Sequence, residues 1–171
     1  MVSVDRDTST NDTLCLMASG LAGNALIDRA DTDYKKFCRA LHAVTTEMCR
    51  KIAADGEGAT KLIECKVTGA KSKQVARTVA KSVVCSNLLK AAMFGADANW
   101  GRVLCAIGYS GAEIDIDKIE VAFSSKAGKI VVCEEGRGID FSEETAKKIL
   151  TEKEIDILID LHDGNYTSTA W

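Results

Sequence analysis

Proline is absent from all 171 residues, where about eight would be usual at this length. A proline-rich linker between folded units is thereby excluded. An excess of one charge is also lacking: acids and bases interleave to a net charge of −3, so no polybasic footprint points to nucleic acid or to an anionic membrane surface. No apolar run approaches the roughly 18 residues of a membrane span. The N-terminus has no basic stretch followed by an apolar one, the pattern of a secretory signal. The expectation is a cytoplasmic protein with no nucleic-acid partner and no membrane partner. Close cysteine pairs are missing too. Cys15, Cys38, Cys49, Cys65, Cys85, Cys105 and Cys133 are odd in number and form no C-x-x-C. Soft-metal sites need such pairs and secreted disulfide frameworks an even count. The thiols are therefore expected to be reduced, buried and packed as small hydrophobes, with no metal site.

What is present has the makings of a globular core. The 46% of apolar residues suffice for one compact domain, or for one and a part. TLCLMASG, residues 13–20, reads as a strand apolar on both faces, the kind found in inner layers. Asp33 is placed to cap a helix from Tyr34 to about Ala53, in which Phe37, Leu41, Val44 and Met48 recur at helical spacing. KLIECKVTGA alternates as a half-buried strand does, with Leu62, Glu64 and Lys66 on one face and Ile63, Cys65 and Val67 on the other. Ser72 is a candidate N-cap for a helix striped by Val75, Val79 and Val83, and NLLKAAMFG continues in helical register. GRVLCAIGYSG is ambiguous between helix and strand. KIEVAFSS and KIVVCEE, joined by KAG, read as a hairpin. Ser142 caps a short helix with Glu143–Lys147 and Glu144–Lys148 pairs. EIDILIDL closes the series with Ile155, Ile157, Ile159 and Leu161 inward.

A hairpin mixed with helices points to an α+β layered fold, not to repeated βαβ units. The first 45 residues stand apart, because one doubly apolar strand and one amphipathic helix cannot cover each other. Either they dock on the rest of the chain or another chain supplies the missing layer.

Three segments carry candidate chemistry. GEGATK, Gly56 to Lys61, is not the G-x-x-x-x-G-K-S/T of a phosphate loop and leads into a strand, whereas phosphate loops lead into a helix. It reads either as a tight turn whose glycines supply positive φ, or as a loop presenting Glu57 to a cationic ligand. FGADANWGR reads as a recognition loop, or as a cap built by Asp97 and Asn99 with Trp100 as anchor. DRDTSTNDT, Asp5 to Thr13, lacks the glycine and distal glutamate of a calcium loop. It is either a turn bonded by its own side chains or a polar pocket lined with hydroxyls and carboxylates. Lys73, Arg77 and Lys81 share a helix face expected to be solvated. His42 and His162 have no partner at ligand spacing.

DTSTNDT followed by an apolar segment and SG, with DGEGATKLIE, VTGAKS, FGADANWGR, IGYSG and a final TSTAW in that order, resembles the β chain of the ornithine acetyltransferase, or ArgJ, family. The resemblance runs over essentially the whole chain. It implies a layered helix/sheet sandwich of the ornithine acetyltransferase type, incomplete here. Residues 1–45 would form part of the nucleophile-bearing layered domain, and residues 46–171 an α+β domain carrying the GEGATK substrate loop. The family implies acetyl transfer from N-acetylornithine to glutamate, with acetyl-CoA as a further donor in some members and no resident cofactor. A precursor cuts itself into α and β chains that assemble as an α2β2 heterotetramer. The threonine exposed at the start of β is the nucleophile, and its tetrahedral intermediate is held by oxyanion donors of the α chain. Glu57 matches a substrate-binding glutamate of the family, and its charge suits the ammonium of an ornithine side chain.

Two departures set expectations for this chain. The family's nucleophilic threonine lies ahead of the match to DTSTNDT, and further substrate contacts lie beyond TSTAW. No catalytic residue is therefore assigned within the 171 residues, and the chain by itself is expected to be inactive. Ala98 stands where the family often has proline, which should alter loop stiffness more than chemistry. The alternative is a binding or assembly module that kept the fold without the reaction. A redox or metal protein built on the seven cysteines fails on their spacing.

Overall fold

The computed structural model describes residues 1–4, 6 and 13–171. Apart from Arg6 and Thr13, DRDTSTNDT lies outside the described residues, and so do both readings of it. Among the described residues no helix is long and apolar enough to cross a membrane.

Among the described residues six strands form one mixed sheet: β1 (Leu62–Ala70), β2 (Glu120–Ser125), β3 (Gly128–Glu134), β4 (Arg137–Gly138), β5 (Glu154–Asp160) and β6 (Tyr166–Ala170). Their spatial order is β4-β3-β2-β5-β1-β6. Only β1 and β5 run parallel, with Cys65 opposite Ile157 and Val67 opposite Ile159. The expected hairpin is β2–β3, with Ser125 opposite Gly128 across its turn. Among the described residues five α-helices accompany the sheet: α1 (Thr32–Ala54), α2 (Lys73–Val84), α3 (Asn87–Phe94), α4 (Trp100–Gly108) and α5 (Glu143–Leu150). α1 runs uninterrupted through residue 45.

One face of the sheet carries the core. Cys65, Val67, Val121, Phe123, Ile155, Ile157 and Ile159 meet Val79, Val83, Met93, Val103, Ile107, Ile149 and Leu150 from α2 to α5, all of them essentially inaccessible. Each large apolar side chain buried in this way contributes roughly 1.5–3 kcal/mol relative to exposure. Local chemistry fixes the helix starts. Ser72, Ser86, Asn99 and Ser142 accept from Val75, Leu89, Arg102 and Thr145 amides respectively, satisfying donors that a helix leaves orphaned. The ambiguous GRVLCAIG is helical: Asn99 caps it, and Val103, Ala106 and Ile107 bury one face. α1 is capped by Asp31, not Asp33, through the Asp33 and Tyr34 amides at 3.0 Å. Of the two ion pairs expected on α5, Glu144–Lys148 forms at 2.8 Å.

The opposite face holds Glu64, Lys66, Asp156 and Leu158, half-buried or exposed. The N-terminal part departs most from expectation. TLCLMASG forms no strand, and Leu16, Met17 and Leu21 are 80–88% exposed. A strand apolar on both faces exists only between paired neighbours and covering layers, and the described residues offer it neither. α1 likewise has no buried residue, and Phe37 and Val44 are exposed. Residues 13–45 thus do not dock on the body. The cysteines depart too: all seven are free, yet only Cys65 and Cys133 are buried. Cys15 lies in the uncovered segment, Cys38 and Cys49 on α1, and Cys105 on the outer side of α4. Burial pushes the Cys65 thiol far above the ordinary thiol range, so it is an inert core residue.

Candidate functional site

The connection from α1 to β1 is the GEGATK segment. The Ala59 amide donates to the Gly56 carbonyl at 2.8 Å, and Gly58 at the third position has φ +70°. This is the geometry of a type II turn, in which the third position demands glycine. Glu57 is thereby lifted to the second corner, exposed. Among the described residues its carboxylate takes part in no hydrogen bond or ion pair. Gly56 is also pinned by space, since a Cβ there would lie 2.9 Å from the Val4 side chain.

Glu57 faces a cavity of about 420 Å³. Its walls are the turn itself, Ile63 of β1, the Met93–Phe94 end of α3, Val4 and the Trp171 ring, with Lys61 and Lys90 also lining it. Apolar walls, one carboxylate and two ammonium groups suit a small zwitterionic or cationic molecule with an aliphatic stem. Both ammonium groups have protein partners. Lys90 Nζ donates to the Val4 carbonyl. Lys61 Nζ donates to the carbonyls of Met93 at 2.5 Å and Leu150 at 2.6 Å, and partial burial lowers its pKa.

The floor is tied to the sheet by a charged cluster on the face away from the core. The Trp171 indole N–H donates to Glu64 Oε2 at 2.6 Å, and the same oxygen accepts from the Arg50 guanidinium. Arg50 also reaches Glu154 at 2.9 Å. Asp156, opposite Glu64 in the β1–β5 register, has its pKa raised, first by desolvation and then by the Glu64 charge. Arg50 thus fastens the end of α1, from which the Glu57 turn springs, to two strands.

The other sequence candidates lie elsewhere. In FGADANWGR the structural alternative holds. Asp97 orients the Asn99 amide at 3.0 Å, Asn99 caps α4, and Arg102 donates to the Leu88 carbonyl at 2.7 Å. The Trp100 ring lies so close to Gly138 that a Cβ there would sit 2.3 Å from it. Ala98 is buried. Lys73 and Arg77 are exposed as expected, but Lys81 bonds the Val2 carbonyl. His42 is exposed on α1. His162, with φ +46°, lies 3.8 Å from Glu120 and 3.6 Å from Asp160. Among the described residues no cluster of three or more His, Cys, Asp or Glu could hold a metal ion. Sequence reasoning missed the cavity roles of Lys61 and Trp171. A lysine immediately after a glycine turn and before a buried strand was the available signal for the first.

The family model for ArgJ matches residues 1–171. The chain belongs to the ArgJ family. It is 54% identical over its whole length to the arginine biosynthesis bifunctional protein ArgJ 1 of Clostridium acetobutylicum, covering 42% of that protein. It is 49% identical to the arginine biosynthesis bifunctional protein ArgJ of Thermotoga neapolitana, covering 43%. The fold matches the crystal structure of the arginine biosynthesis bifunctional protein ArgJ from Bacillus halodurans with a TM-score of 0.89 at 47% identity, over 99% of this chain and 78% of that one. The layered α+β class read from the sequence is therefore that of the ArgJ fold. The chain spans less than half the length of these curated relatives.

Proposed function

We propose that this chain is the β-chain portion of a glutamate N-acetyltransferase, and that it supplies one wall of the amino-acid site. In the full-length protein an acetyl group moves from N2-acetylornithine to L-glutamate, through an acetyl-threonine on a residue outside these 171. The attacking hydroxyl adds to the acetyl carbonyl, the tetrahedral intermediate expels the ornithine amine, and glutamate's amine then takes the acetyl group from the threonine. The α chain of the same precursor would complete the site within an α2β2 assembly working in the cytoplasm.

The observation that carries this reading is Glu57, a carboxylate without a partner among the described residues, at the corner of a type II turn facing an apolar-walled cavity. Such a group has little structural work and is placed to accept from an ammonium at the end of an aliphatic stem. The test is Glu57→Gln in the full-length protein. Losing a charge-assisted hydrogen bond should raise KM for N-acetylornithine about tenfold or more, with the fold unchanged by circular dichroism. An unchanged KM would remove Glu57 from the substrate site.

A further inference from the structure

We propose that Lys61 is a positioning residue that sets the width of the substrate cavity by holding the Glu57 turn against the end of α3; this rests on the reading of Glu57 given above. Lys61 closes the GEGATK segment and immediately precedes β1. Its ammonium donates to two backbone carbonyls far away in sequence, Met93 at 2.5 Å and Leu150 at 2.6 Å. Met93 lies in the last turn of α3 and Leu150 ends α5.

Carbonyls in the last turn of a helix have no intrahelical partner and carry the negative end of the helix dipole. One cation between two such ends therefore satisfies both. It also fixes their separation, because an ammonium bonds an oxygen only over a narrow range of distance.

The geometry matters because the two things joined line one cavity. Glu57 and Gly58 of the turn border it, and so do Met93 and Phe94 of α3. The turn itself holds Glu57 through a single backbone hydrogen bond, Ala59 to Gly56. Lys61 anchors the chain three residues beyond Gly58, at the point where it enters the sheet. Two of its three N–H donors are engaged by carbonyls, so it works as a tie between walls, whatever its third donor meets. An aliphatic side chain at this position would leave the Met93 carbonyl with the Ala96 amide, the Leu150 carbonyl without the ammonium, and the turn free to shift. Displacement of about 1 Å at a binding group costs of the order of a hundredfold in the strongest cases.

The experiment compares Lys61→Met, Lys61→Arg and Glu57→Gln in the full-length protein, with steady-state kinetics for N-acetylornithine. Lys61→Met should raise KM about tenfold with kcat held within about twofold, as expected when a binding wall moves and the reacting atoms do not. Lys61→Arg, which keeps donors for both carbonyls, should restore most of the loss. A Lys61→Met enzyme with unchanged KM, or with kcat reduced at unchanged KM, would overturn the proposal even if its melting temperature fell. Where Lys61→Met does not fold, Lys61→Gln, which keeps a donor at similar volume, is read by the same two outcomes. If Glu57→Gln raises KM and the Lys61 variants do not, the tie is wrong and the Glu57 reading stands. If Glu57→Gln is silent, both fall.

Discussion

Two regions of this chain are both rich in apolar residues and have opposite fates. From Leu62 onward, Ile155, Ile157, Ile159 and Phe123 vanish between sheet and helices. Between Leu14 and Val44, Leu16, Met17, Leu21, Leu26 and Phe37 stay exposed. The difference is the presence of a covering layer: the body brings four helices to one sheet face, while the first turns of α1 and the segment before it bring faces that nothing among the described residues covers. Hydrophobicity says which side of an element seeks burial; the tertiary partner decides whether burial occurs.

A matched pair of truncations separates the two regions. Phe123→Ala, at the centre of the core, should lower the unfolding free energy of the chain by about 3–5 kcal/mol. Met17→Ala should change it by no more than about 0.5 kcal/mol. Urea unfolding of both measures the contrast, and equal losses would mean that the N-terminal segment is packed after all. A smaller effect tests a closely packed glycine of the body. Gly138→Ala drives a methyl into the Trp100 ring and should cost about 1–3 kcal/mol as an overpacking change. Trp100→Leu, combined with it, should recover part of that loss.

The smallest effect concerns the sheet face without helices. Asp156 is held above its ordinary carboxylate pKa of 3.8 by desolvation and by Glu64. The folded chain therefore retains a proton that the unfolded chain releases, and stability falls as pH rises from about 4 through the raised pKa. Asp156→Asn removes this titration. Its melting temperature should vary less between pH 4 and pH 7 than that of the parent chain, and should be the higher of the two at pH 7.

Much of the body could be read from sequence because its signals are local. Ser72 and Ser142 sit one residue ahead of their helices, and Val75, Val79 and Val83 recur at the helical period. Ile155, Ile157 and Ile159 alternate without interruption. What could not be read depended on partners. TLCLMASG has the composition of an inner strand and no neighbour to pair with. GRVLCAIG is too short for its periodicity to decide, and its helix rests on the Asn99 cap and the Asp97 side chain behind it. The candidate site divides in the same way. Glu57 stood out as a charge between two glycines, a local pattern. Lys61 did not, because its two partners are 32 and 89 residues away in sequence. Trp171 needed the register of β1 and β6 to bring it to Glu64.

The placement of β5 has a consequence for how the molecule comes into being. It is synthesised after β1, β2, β3 and β4, yet it lies between β1 and β2, so the sheet has no centre until residue 154 and beyond have left the ribosome. Leu62 must wait for Glu154, and loop closure over so long a span is slow compared with helix and hairpin formation. Until then β1 and the β2–β3 hairpin present unpaired edges, the surfaces most prone to mispairing. A nascent chain arrested before β5 would hold its helices and its hairpin without a sheet to seat them. The wall that carries Glu57 would have nothing to stand against.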